Sequence, residues 1–186
     1  MKEFPSVPQD LEAVDTPEEA VTDADIICAA TTSSTPVLRY QDLKSGVHIN
    51  GVGSYQPSMQ EIDSETIKNA LVFVDSRESA LSETGDLTIP IQEGIIGKNH
   101  LRAEIGELLE NPSLGRKTPD ETTFFKSCGV AVQDVVAAGM ALEQAKKNNL
   151  GRATMWIMEK GNLCWRKWKK ILGLQMLCMT VGAMQY

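Results

Sequence analysis

Three short apolar runs, each closing on polar residues or glycines, constrain this chain more than any other feature. They are Asp25-Ile-Ile-Cys-Ala-Ala-Thr31, Gly46-Val-His-Ile-Asn-Gly-Val-Gly53 and Leu71-Val-Phe-Val-Asp75. The first and third, compact and bounded by turn residues, read as buried strands, the first on both faces, and the second as a strand ending in glycines. Ser64 to Ala70, between the second and third, reads as a helix. Strands separated by short helical stretches imply crossover connections, and so a parallel sheet in an α/β fold. Upstream, Thr16-Pro-Glu-Glu-Ala-Val predicts a short helix ending near Thr22. Thr16 serves as its cap, Pro17 suits the first helical position, and the two acids favour the positive end of the dipole.

The second half reads as more helical. Asn99 to Glu110 carries Leu101, Ile105, Leu108 and Leu109 at helical spacing, which predicts a helix over the whole stretch. Phe124-Phe-Lys-Ser-Cys-Gly129 is a short extended piece. Val130 to Asn148 is a long helix with Val132, Val135, Val136 and Met140 on one side, stopped by Asn148-Asn-Leu-Gly151.

Composition narrows the class. At 42% hydrophobic and 23% charged, the 186 residues can bury a core. A net charge of -7 argues against nucleic acid as the main partner. No apolar run is long enough for a membrane span, and the first residues have no apolar leader. Cys28, Cys128, Cys164 and Cys178 form no C-x-x-C pair, and His48 and His100 are the only histidines. A disulfide framework and a zinc site are therefore not expected, and the chain reads as a reduced, cytoplasmic protein. The charge shifts abruptly near Gly151. Residues 152–186 hold six cations against one acid, Glu159, together with all three tryptophans and five of the eight methionines. This basic tail reads either as an amphipathic helix for a membrane surface or partner, or as a segment foreign to the domain.

In an open parallel sheet, ligands bind beyond the carboxyl ends of the strands. Here those ends are Thr31-Thr-Ser-Ser34, Gly51-Val-Gly-Ser54 and Asp75-Ser-Arg-Glu78. They predict one shared crevice, although polar turns at strand ends would look the same. Gly51-x-Gly53 is not the dinucleotide fingerprint, since no G-x-G-x-x-G is present. Ser127, just before the long helix, is placed to cap it or to help bind an anion, with Lys126 either supplying charge or solvated. Asp134 suits a dipole or surface role, and His48 a core or edge position within a strand. Cys28 reads as a small buried apolar residue. Cys128 has no histidine nearby in sequence to activate it.

Taken in order, these segments resemble the ornithine cyclodeaminase/mu-crystallin family. The matching stretches are Ala24 to Ser34, Gly46 to Pro57 with Glu61, Val74 to Glu78, Gly85-Asp86, Ile105-Gly-Glu107, and Phe125 to Asp134. They cover roughly residues 10–150. The resemblance implies an NAD(P)-dependent enzyme acting on a small amino-acid or imine substrate. Its fold would be a Rossmann nucleotide domain joined to a separate substrate and dimerisation domain. It implies cofactor contacts at Thr31, Thr32, Val52, Gly53 and Ser127, with Ser127 at the nicotinamide end, and a substrate-facing role for Glu83. The cofactor is then NAD or NADP, and the full-length member a possible homodimer.

Two departures shape the expectation. Ornithine cyclodeaminases resemble Gly-Asp-Cys-Pro where this chain reads Ser54-Tyr-Gln-Pro57, so Tyr55 stands where their aspartate base would be. A phenol ionises near pH 10 and is a poor base at neutral pH. The pattern is thus closer to the amino-acid dehydrogenases and cyclic-imine reductases. The family's N-terminal substrate domain and its glycine-rich loop also have no counterpart here. The expected organisation is a partial Rossmann-type parallel sheet over residues 1–98, its second half. A helical segment over 99–150 would complete that domain and return towards the absent one, followed by the tail over 151–186. Such a chain would show little turnover alone. A non-catalytic, mu-crystallin-like nucleotide binder and an inactive truncated fragment are the competing expectations.

Overall fold

The computed structural model describes residues 11–151. Both readings of the tail fall on residues outside that range. The chain divides into two compact units after Leu142. The first contains a five-stranded, wholly parallel sheet. Its strands are β1 (Ile26–Ala29), β2 (His48–Gly51), β3 (Leu71–Val74), β4 (Leu101–Glu104) and β5 (Thr123–Lys126), in the spatial order β1-β2-β5-β3-β4. The helices are α1 (Pro17–Val21), α2 (Ser64–Asn69), α3 (Arg77–Glu83), α4 (Gly85–Gln92), α5 (Ile105–Glu110) and α6 (Ala131–Lys147).

Local sequence explains most boundaries. Thr16 caps α1 by accepting from the Glu19 amide, and Pro17 occupies the first turn, as expected. Asp63, Ser76 and Thr84 cap α2, α3 and α4 in the same way. Helix α6 ends at Lys147. Asn149 and Gly151 then adopt positive φ, 52° and 82°, the backbone the Asn/Gly stop anticipated.

The core lies on one face of the sheet. Ile27, Ile49, Phe124, Val72 and Leu101 stand side by side across five strands, one residue per strand. Ile62, Ile67 and Leu87 belong to the same buried cluster. Burial of these side chains drives the layer together, at about 1.5–3 kcal/mol each. Gly51 is needed where β2 passes Phe124, since an added Cβ would sit 2.7 Å from the phenyl ring.

Several expectations are corrected. Asn99 to Glu110 is not one helix: Leu101–Glu104 is a strand, and only Ile105–Glu110 is helical. Leu101 and Ala103 are buried on a pleated strand, and the helix begins where Glu104 and Glu107 form a capping box. The region from 99 to 150 therefore contributes two strands, β4 and the central β5, besides its helices. Strand β1 is not buried on both faces. Ile26 and Cys28 are exposed, because β1 is an edge strand whose alternate residues point away from the core. Cys28 is thus no core residue. The apolar side of α6, with Val132, Val135, Val136 and Met140, is likewise exposed. His48 is half-buried, with Nδ1 2.8 Å from the Thr123 hydroxyl and Nε2 3.3 Å from Asn50 Oδ1, a satisfied strand histidine. Among the described residues, no helix is long and apolar enough to cross a membrane.

Phe124 is the largest fully buried side chain among the described residues and sits at the centre of the sheet. Phe124→Ala should lower unfolding stability by about 3–5 kcal/mol, read as a fall in the urea midpoint with the slope unchanged.

Candidate functional site

Register places the candidate residues together. Ala29, Gly51, Lys126 and Val74 form one row across β1, β2, β5 and β3. The chain leaves the sheet just beyond that row. The Val52 amide donates to the Ala29 carbonyl at 2.8 Å, and the Ser127 amide to the Gly51 carbonyl at 3.0 Å. Val52 and Ser127 therefore stand next to each other at the carboxyl edge, on neighbouring strands. Thr31 and Thr32 follow β1 and are exposed. Thr31 Oγ1 accepts from the Ser33 amide at 3.1 Å, and Ser33 Oγ donates to the Thr35 carbonyl at 2.6 Å, which shapes the hydroxyl-rich loop.

Gly53 is half-buried at the β2 tip. An added Cβ would lie 2.0 Å from the Thr31 carbonyl oxygen and 2.5 Å from Glu61 Oε1. No other residue allows the β1 and β2 tips to approach so closely. The third predicted tip, Asp75, is not adjacent to the second, because β5 runs between β2 and β3. It still joins the same edge through Ser127. Asp75 Oδ2 accepts from the Ser127 hydroxyl at 3.1 Å and from the amides of Cys128 and Gly129, both at 2.8 Å.

Ser127 is consequently not the cap of α6, which begins four residues later at Ala131. Its hydroxyl donates to Asp75, and Gly129 at φ 80° turns the chain before the helix. Lys126 is not solvated. Alternation along β5 drives it into the interior, where it is fully buried with Nζ 3.3 Å from Asp86 Oδ2. Asp86 Oδ1 accepts from the amides of Glu61 and Ile62, at 2.7 and 3.1 Å. Burial pushes the Asp86 carboxyl above its ordinary value, against the opposing pull of Lys126 and those two amides.

Glu83 lies at the exposed end of α3. The Cys128 thiol is pushed up to about 11, first by burial and then by the charge of Asp75, with Glu83 adding to the effect. Tyr55 is exposed in the loop after β2. Sequence reasoning did not anticipate the buried polar groups behind this edge. Glu61, Asp86 and Lys126 carry no local signal of burial, beyond lying in the motif stretches that resemble the family.

The model described as the ornithine cyclodeaminase/mu-crystallin family matches residues 4–149. A delta(1)-pyrroline-2-carboxylate reductase of Bacillus cereus is 46% identical over 134 residues, covering 72% of this chain and 41% of that protein. A solved structure of Thermococcus litoralis delta(1)-pyrroline-2-carboxylate reductase, in complex with NADH and L-proline, superposes with a TM-score of 0.72. It is 38% identical and covers 76% of this chain and 44% of that one. An archaeal alanine dehydrogenase dimer with bound NAD superposes at 0.70, with 34% identity, over 78% of this chain and 45% of that one. The chain spans less than half the length of these relatives.

Two outcomes follow from the buried charges. A carboxyl held above its ordinary value keeps, when folded, a proton that the unfolded chain has released. Its contribution to stability therefore falls as pH rises from the ordinary value of 3.8 to the folded one, and is level beyond. Lys126→Met raises the Asp86 carboxyl further. It should cost about 3–5 kcal/mol at neutral pH and measurably less near pH 4.5, read from paired urea titrations of variant and parent. Separately, Asp75→Asn removes one charge that suppresses the Cys128 thiolate. It should speed alkylation of Cys128 by iodoacetamide at about pH 8, followed by mass spectrometry.

Proposed function

The chain belongs to the ornithine cyclodeaminase/mu-crystallin family, and we propose that it carries the nicotinamide-facing part of an NAD(P)-dependent oxidoreductase of the amino-acid dehydrogenase or cyclic-imine reductase type. One observation carries this reading: the carboxyl tips of three neighbouring parallel strands, β1, β2 and β5, end on one line with exposed groups beyond them. Crevices at the carboxyl ends of parallel strands are where open α/β sheets take nucleotides.

The residues present fit such a group. Gly53 lets the β1 and β2 tips close up, Val52 offers an exposed apolar face, and Thr31, Thr32 and Ser127 offer hydroxyls. In this proposal Thr31, Thr32, Val52, Gly53 and Ser127 hold the cofactor, with Ser127 at the nicotinamide end. Asp75 orients the Ser127 hydroxyl. The nicotinamide, when bound, supplies the hydride chemistry. In this proposal Glu83, exposed at the end of α3, faces the substrate, a small amino acid or cyclic imine. Tyr55, where cyclodeaminases carry an aspartate base, favours the dehydrogenase or imine-reductase side of the family. The full-length protein is proposed as a homodimer, in line with the dimeric alanine dehydrogenase it resembles. It would work in the cytoplasm, where free thiols such as Cys28 and Cys128 persist.

The test is an NADH titration of the 186-residue chain followed by amide NMR, with a parallel assay for NADH oxidation by delta(1)-pyrroline-2-carboxylate. Saturable shifts at Thr31, Thr32, Val52, Gly53 and Ser127 are expected. Ser127→Ala should weaken binding about fivefold, the loss of one hydrogen bond worth about 1 kcal/mol. Saturable shifts without turnover would favour a nucleotide-binding protein over an enzyme. No shifts, or shifts confined to other faces, would overturn the assignment.

A further inference from the structure

Glu61 is buried to the last atom, yet lies in no helix or strand. Its carboxylate accepts three backbone amides from two separate strand tips. Oε1 takes the Thr31 amide, at 2.5 Å, and Oε2 takes those of Gly53 and Ser54, at 2.6 and 3.0 Å. Its own backbone is held in turn. The Glu61 carbonyl accepts from Val37, and its amide donates to Asp86. Asp86 faces Lys126, the residue that precedes Ser127. One continuous chain of polar contacts therefore joins the tips of β1, β2 and β5.

We propose that Glu61 is a positioning residue that sets the spacing of the β1 and β2 tips for the nicotinamide–ribose end of the cofactor. This rests on the functional reading above and deepens it. The chemistry demands a carboxylate. Three N–H donors converge on two oxygens, and a carboxylate is acceptor-only. An amide in its place would point its NH2 group at the Thr31 amide, or at those of Gly53 and Ser54. Either choice breaks contacts on one tip and lets the two drift apart. The same geometry selects which part of a nucleotide sits here. Pyrophosphate is bound by free backbone N–H groups, and the amides of Thr31, Gly53 and Ser54 are already taken up by Glu61. What they turn outward are the threonine hydroxyls and the face of Val52, which suit a ribose and a flat carboxamide-bearing ring.

The experiment compares the full chain with Glu61→Gln. In the parent, the amides of Thr31, Gly53 and Ser54 should exchange with deuterium as slowly as those of core strands β2 and β5, although they lie in loops. Fast exchange would overturn the proposal, even if the variant fails to fold. In folded Glu61→Gln, the NADH dissociation constant should rise at least tenfold. NADH-induced shifts at Thr31, Thr32, Val52 and Gly53 should collapse, while Ser127, anchored separately by Asp75, still responds. A variant that is less stable but binds NADH with unchanged affinity and an unchanged shift pattern would show Glu61 to be merely structural. An absence of NADH shifts in the parent would instead reject the functional reading itself.

Discussion

Lys126 sits at the end of the central strand with no exposed surface, one residue before Ser127, and its ammonium faces the Asp86 carboxylate at 3.3 Å. Burying two charges is costly, and their attraction offsets the cost only when the remaining atoms are also satisfied. Asp86 meets that condition on one side, through the amides of Glu61 and Ile62. Those two amides fix the 60–62 segment to Asp86, and the Glu61 side chain carries that hold to the tips of β1 and β2.

Three carboxylates divide the work at the carboxyl edge. Asp86 ties the 60–62 segment to the central strand. Glu61 ties the β1 tip to the β2 tip. Asp75 holds the loop after β5 through Ser127, Cys128 and Gly129. Each is acceptor-only and is met by backbone amides that the parallel ladder has left unpaired. These contacts act beside the hydrophobic packing of Ala29, Val74 and Cys128, and the groups left facing outward are hydroxyls and an exposed valine.

Much of the fold could be read along the chain. The runs at Ile26, His48 and Leu71 are strands, the cap at Thr16 lies where a helix begins, and the Asn149/Gly151 stop is where α6 ends. The errors share a cause. Leu101 fits helical spacing with Ile105 and Leu108, but four residues are too few for periodicity to distinguish strand from helix. From its neighbours Cys28 looks like a buried apolar residue, and Lys126 like a charge for an anion or a solvated side chain. Their real surroundings, an open sheet face and a buried carboxylate, come from elements distant in sequence. Ser127 resembles a helix cap by proximity, yet its partner is Asp75, 52 residues away.

Periodicity, caps and turn residues are local, so the chain alone specified a parallel α/β arrangement and the polar strand ends at Thr31, Gly51 and Asp75. The order β1-β2-β5-β3-β4 is not local, because parallel neighbours are joined by crossovers and any strand can insert between two others. Tertiary structure alone decided that β5 lies beside β2. That choice brings Ser127 next to Val52, buries Lys126 against Asp86, and lets one glutamate at position 61 span two tips that are more than twenty residues apart in sequence.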